Sequence, residues 1–288
     1  MKYNKSSLTI QEQISHIKNH YKIECQNQNL LKQSFTHINY YKLRGYWLFF
    51  EDIEKKVNFE DIINIYEFDK KLRNLFLEYI EIVESSIKSI FTNHLTTKYN
   101  NPHIHLDNSI FKNKNFHAFG IIQLANSFKK SDEVFIKHFK NKYDEELPPL
   151  WVCVEFMTFG EISKWYKNLN LEDKKVIAKK YNLRERYLTS LLLHFTDIRN
   201  ISAHHSRLWN KAISKGFQIP SQIPIYKPKN FKIYHSAIML DFLLNVITEK
   251  NNFFDRFINL IKEYNIPLKY MGFDKEHNIK ELEGLEYE

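Results

Sequence analysis

The sequence predicts an all-α protein, and three observations carry that prediction. Glycine and proline are scarce, 6 and 7 in 288 residues. Residues 46–101, 121–147, 161–215 and 229–266 contain neither, and such long gaps between chain-breaking residues suit helices better than the frequent turns of a β fold. Within these segments apolar residues recur at alternating steps of three and four, the spacing of one helix face. Helices are expected first at 9–20 and 28–40. Next comes the strongest pattern, Ile65, Phe68, Leu72, Leu75, Tyr79, Ile82, Ser86 and Ile90, a stripe along one helix that starts near Phe59 and runs for roughly 35 residues. Arg73, Glu78, Glu81, Glu84 and Lys88 fall between those positions and read as a charged solvent face. Helices are further expected at 116–129, 133–143, 150–157, 161–168 and 172–180. Tyr187, Leu188, Leu191, Leu192, Phe195 and Ile198 mark another strong helix, followed by an exposed loop over Gly216–Pro228 and helices at 234–247 and 251–264. Trp47 with Phe49 and Phe50, and Trp151 with Phe156 and Phe159, read as core.

Composition narrows the class. Hydrophobic residues make up 43% of the chain, with 23 Phe and 17 Tyr, enough for a full core without covalent staples. Two isolated cysteines, Cys25 and Cys153, form neither a disulfide framework nor a zinc cluster. Met1-Lys2-Tyr3-Asn4-Lys5 has no apolar stretch behind its charges, so no signal peptide is expected. No run approaches the roughly 18 apolar residues of a membrane span. The expected location is the cytoplasm, with no membrane contact.

The net charge is +8, unevenly spread. Residues 274–288 hold six acidic side chains and two lysines, which leaves +12 on the remainder. A body that basic attracts polyanions, and in the cytoplasm nucleic acid is the expected partner. Lysine-rich drift in an AT-rich genome is the plainer explanation, so the scarce arginines are the better signal. Four of the seven, Arg184, Arg186, Arg199 and Arg207, fall within 24 residues. Lys174, Lys175, Lys179, Lys180, Arg184 and Arg186, with Tyr181 and Tyr187 interleaved, form a candidate strip for gripping RNA phosphates and stacking bases, to which Arg207 is added.

Chemistry concentrates where an apolar helix stripe meets Arg199, Asn200, His204, His205 and Arg207. An arginine clamps phosphate with a planar fork of donors. A histidine gives or takes a proton near neutral pH. Together they supply what metal-free RNA cleavage needs: activation of the ribose 2′-OH, protonation of the leaving 5′-oxygen, and charge stabilisation at phosphorus. A helix end whose Arg and His pair with carbonyls or with Asp197 is the plain alternative. On an ideal helix residues five apart point about 140° away from each other. Arg199 and His204 therefore converge only if the helix breaks near Asn200–Ser202, if Arg199 reaches across, or if two chains share the site. Neither Glu78, Glu81 and Glu84 nor His103 with His105 has convincing metal-ligand spacing, so no metal is expected. With no phosphate-cradling glycine loop and no nucleophile elbow, no cofactor is expected either.

Arg199-Asn200-x-x-Ala203-His204 resembles the R-x(4–6)-H signature of HEPN ribonucleases. More widely, the chain resembles the Abi abortive-infection proteins of bacteria, the AbiD/AbiF-like group. Six blocks carry that likeness: Leu43–Trp47, Ile65–Arg73, Pro149–Val152, Glu155–Gly160, Arg199–Asn210, and Ile266-Pro267 with Met271–Phe273. The resemblance implies a HEPN-like helical bundle with an N-terminal helical extension, a role in phage defence, and RNA as substrate or ligand. Residues 1–58 would be the extension, 59–273 the HEPN-like domain and 274–288 an acidic tail. It further implies that Arg199 and His204 are catalytic, with Asn200 beside them and His205 the competitor for the histidine role. HEPN sites typically form across a dimer, and a single such motif here implies a homodimer. A non-catalytic module that holds RNA through the same residues is the other expectation. The tail departs from the family pattern, with Asp274-Lys275-Glu276 where members often carry a Trp.

Overall fold

The computed structural model describes residues 6–52, 57–220, 223 and 231–273, so the acidic tail at 274–288 lies outside the described residues. In chain order the helices are α1 Ile10–His20, α2 Gln28–His37, α3 Tyr40–Asp52, α4 Phe59–Tyr99, α5 Lys114–Lys130, α6 Val134–Lys142 and α7 Leu150–Cys153. They continue as α8 Phe159–Asn168, α9 Leu171–Lys179, α10 Glu185–Ala203, α11 Ile233–Ile247, α12 Phe253–Glu263 and α13 Leu268–Met271. Among the described residues no strand forms, and the fold is all-α. Each helix expected from periodicity is present. Helix α3 was not expected, because Tyr40–Asp52 is aromatic nearly all round and shows no polar face from which to read a period.

Local signals set the boundaries. Thr9 with Glu12, and Thr158 with Glu161, form reciprocal capping boxes at the starts of α1 and α8. Asn27, Asn113 and Asn170 accept from backbone amides at the starts of α2, α5 and α9. Helix α4 ends at Asn100 in the left-handed region, φ 48°, two residues before Pro102.

At 41 residues α4 is about 60 Å long, and it is the spine of the molecule. Helices α3, α7, α8, α9, α10, α11 and α12 all pack on it. A helix covered on so many sides buries more than one stripe, which corrects the reading of Arg73. Its side chain lies in the core, paired with the fully buried Asp69 one turn earlier. Glu78 meets Arg256 of α12, and Glu84 meets Lys88. Two further expectations are corrected. Trp151 is 50% exposed, because the short α7 turns it outward from beside buried Leu150 and Cys153. The loop after Gly216 is not wholly exposed: Phe217 is buried against His194 and Phe231. Most of the remainder of that loop, residues 221–222 and 224–230, lies outside the described residues.

Helix α10 is fixed against α4, α8 and α9 by Leu188, Leu191, Leu192, Phe195 and Ile198, all fully buried. His194 ties it to the chain beyond. Its Nδ1 donates to the Lys215 carbonyl, and its Nε2 accepts from the Ser236 hydroxyl at 2.9 Å. Burial pushes the ring down to about 4, which keeps it neutral and able to serve both bonds.

Candidate functional site

Buried packing holds α10 rigid almost to its end, and the polar cluster sits where the packing stops. The helix runs unbroken through Ala203, with His204 as its C-cap. No break opens at Asn200–Ser202, so that route to convergence of Arg199 and His204 within one chain is closed. Asn200 and His204, four apart and both exposed, share one face of the last turns. Arg199, half-buried, stands about 140° round the helix from His204.

His205 closes the helix. Its backbone is left-handed, φ 55°. The His205 amide donates to Ser202 O at 3.0 Å and the Ser206 amide to Ile201 O at 2.9 Å, the paired bonds of a Schellman cap. Glycine is the usual residue there, and a side chain tolerates it at some cost. His205→Gly is therefore expected to leave the melting temperature unchanged or raised, and His205→Val to lower stability by about 1–2 kcal/mol. RNA cleavage measured alongside separates the two histidines: loss of activity in the glycine variant would move the proton-transfer role from His204 to His205.

The turn that follows is anchored from beneath by Asp69, a residue the sequence pattern did not single out. Its carboxylate accepts from the amides of Leu208 at 3.1 Å and Trp209 at 2.6 Å, from the Tyr46 hydroxyl at 2.6 Å, and from Arg73. Burial pushes the Asp69 carboxyl up, and these four donors oppose that by favouring the charged form. Trp209, fully buried, packs among Tyr46, Phe49, Phe50 and Tyr270. Arg207, expected to contact RNA, is half-buried and donates to the Gly45 carbonyl of α3. Residues from the Leu43, Ile65 and Arg199 blocks thus meet around one buried carboxylate, which fixes the turn bearing His204 and His205.

The six cations expected as one strip are divided. Lys175 and Lys179 are exposed on α9, and Arg184 is exposed at the start of α10. Lys180 lines a groove of about 550 Å³ between α4 and α9. Lys174 and Arg186 face a different cleft. Tyr181 and Tyr187 are buried and do not serve as stacking surfaces: Tyr181 bonds Ser86, and Tyr187 lies under the Arg186 guanidinium. Elsewhere, His105 is buried with Cys153 Sγ 3.6 Å from its Nε2, and burial pushes it down to about 3. Among the described residues no three His, Cys, Asp or Glu side chains gather as a metal site. Among them, too, no helix is long and apolar enough to cross a membrane.

The described residues form an all-helical fold that presents an Arg-Asn-x-x-Ala-His helix end on a turn pinned by Asp69. The chain belongs to the Abi-like protein family, whose model matches residues 33–210, from α2 to the end of the Asp69-anchored turn. Membership points to abortive infection, a phage-defence role. No curated protein and no solved structure matches the chain.

Proposed function

We propose that the protein is a metal-independent endoribonuclease of the HEPN type, a toxin-like effector of abortive infection that works in the cytoplasm as a homodimer. The ribose 2′-oxygen attacks its own phosphorus while a base takes the 2′-hydroxyl proton. The bond from phosphorus to the 5′-oxygen breaks, and an acid protonates that oxygen. The products are a 2′,3′-cyclic phosphate and a 5′-hydroxyl, with no water consumed. His204 moves protons, Arg199 stabilises the charge on the phosphorane, and Asn200 orients one of them. The observation that carries this reading is the exposed Asn200–His204 face at the end of a helix whose preceding turns are buried and tightly packed. His204 takes the 2′-hydroxyl proton and passes a proton to the leaving 5′-oxygen, and a second copy of the chain solves the divergence by setting its Arg199 beside that His204.

The test is incubation of the purified protein with RNA in excess EDTA, followed by end-group analysis. Fragments with cyclic phosphate and 5′-hydroxyl ends are expected. Cleavage that requires added magnesium or manganese would overturn the mechanism, and binding without fragments would leave a module that only holds RNA.

A further inference from the structure

A cleft of about 1290 Å³ opens between α5, α8, α9 and α10, larger than the roughly 300–1,000 Å³ of small-molecule pockets. Lys112 and Lys114 stand at the start of α5, Lys164 and Lys167 on α8, and Lys174 on α9. Arg186 and Lys215 complete the basic lining, against a single carboxylate, Glu185. Among the described residues the first six of these cations have no ion-pair partner. Lys174 is pushed below its ordinary range, by burial first and by Lys112 and Lys167 as well. Such a concentration of like charge is unfavourable alone and favourable around an anion.

The cleft also has a direction. On α10 its wall is made by Arg186, Thr189, Ser190 and Leu193, a face recurring every three to four residues. Extended, that face passes Asp197, Asn200 and His204. Arg186 and His204 are 18 residues apart, five full turns, and so point the same way about 27 Å from each other. Lys215 lines the cleft and pairs with Asp197 at 3.0 Å, so the cleft wall reaches within one turn of Asn200 with that lysine's charge partnered. At the α5 side Phe116 lines the cleft, and Phe119, one turn on, is 56% exposed. Cations along a groove with aromatic rings beside them suit single-stranded nucleic acid, whose bases are free to stack.

We propose that this cleft holds single-stranded RNA, phosphates on the lysines and a base on Phe119, and leads the strand along α10 to Asn200 and His204. The assignment rests on the ribonuclease reading for its choice of RNA. It is tested on the full chain by fluorescence anisotropy with labelled oligouridine over a series of salt concentrations. Replacing Lys112, Lys164 and Lys167 together by Gln is expected to reduce the slope of log affinity against log salt by about 2, near 0.7 per lost phosphate contact. Phe119→Ala is expected to weaken binding about tenfold. The Lys32→Gln, Lys262→Gln pair, exposed and outside the cleft, is expected to leave the slope unchanged. Circular dichroism confirms that each variant is folded. A cleft variant that binds as wild type overturns the proposal, as does equal affinity for duplex RNA or inorganic polyphosphate. No binding by the wild type at low salt overturns it too. His204→Ala separates the two readings. If it is inactive while the cleft variant binds and cleaves normally, the cleft fails and the ribonuclease stands. If neither the wild type nor His204→Ala cleaves RNA while the cleft variant loses binding, the reverse holds.

Discussion

Arg199→Ala and His204→Ala are each expected to reduce RNA cleavage by about a hundredfold or more, the range in which positioned acid–base groups and oxyanion donors act. Folding is expected to survive. His204 is exposed and Arg199 half-buried, and neither appears in a side-chain hydrogen bond or ion pair among the described residues. Surface changes of that kind cost within about 0.5 kcal/mol. The informative step is to mix the two inactive proteins. If Arg199 of one chain works with His204 of its partner, a mixed dimer rebuilds one of its two sites. Random exchange then restores about a quarter of wild-type activity, as two-fold symmetry requires. A mixture that stays inactive, although chain exchange is shown by light scattering and labelling, would mean that each chain completes its own site. Melting temperatures lowered by several degrees in both single variants would instead assign the pair a structural role.

The legible parts of this molecule were those governed by one local rule. The stripe from Ile65 to Ile90 sits on a helix whose period is fixed by backbone geometry, and α4 follows it closely. The same holds for Leu188 to Ile198 in α10. Arg73 was misread, and Asp69 not singled out, because periodicity assigns faces as if each helix had one dry side. Helix α4 is covered by seven others, and a charged pair four residues apart was available for burial there. Asp beside Phe68 and Leu72, followed by an Arg one turn on, is the local signal of such a buried pair. The candidate motif was readable because Arg199, Asn200 and His204 fall within six residues. The basic cleft was not: Lys112, Lys164, Lys174 and Arg186 come from four separate parts of the chain, and only packing of α5 on α8 and of α8 and α9 on α10 assembles them.

Asp69→Ala is expected to destabilise the fold by about 3–5 kcal/mol, the cost of leaving one partner of a buried ion pair behind. The loss is compound. The Arg73 side chain, 4% exposed, would keep its charge with no carboxylate beside it, and the amides of Leu208 and Trp209 would lose their acceptor. Against a total stability of typically 5–15 kcal/mol that is a large share, and the melting temperature should fall on the order of 10 °C. Graded variants test the cause. Tyr46→Phe removes one donor of the set and should cost only about 0.5–1.5 kcal/mol. Removing Asp69 and Arg73 together should cost less than the sum of the single changes, because each single change strands the other's charge. Activity provides the link to the site. The two amides held by Asp69 lie at 208 and 209, directly after the turn that carries His204 and His205. Asp69→Asn, measured well below its melting temperature, should therefore lose more cleavage than its unfolded fraction accounts for. Thermal denaturation followed by circular dichroism, with cleavage assays on the same samples, decides the matter. An Asp69→Ala protein that melts within a degree of wild type would show that the buried pair and its two amides do not hold the turn, and the anchoring role would fall.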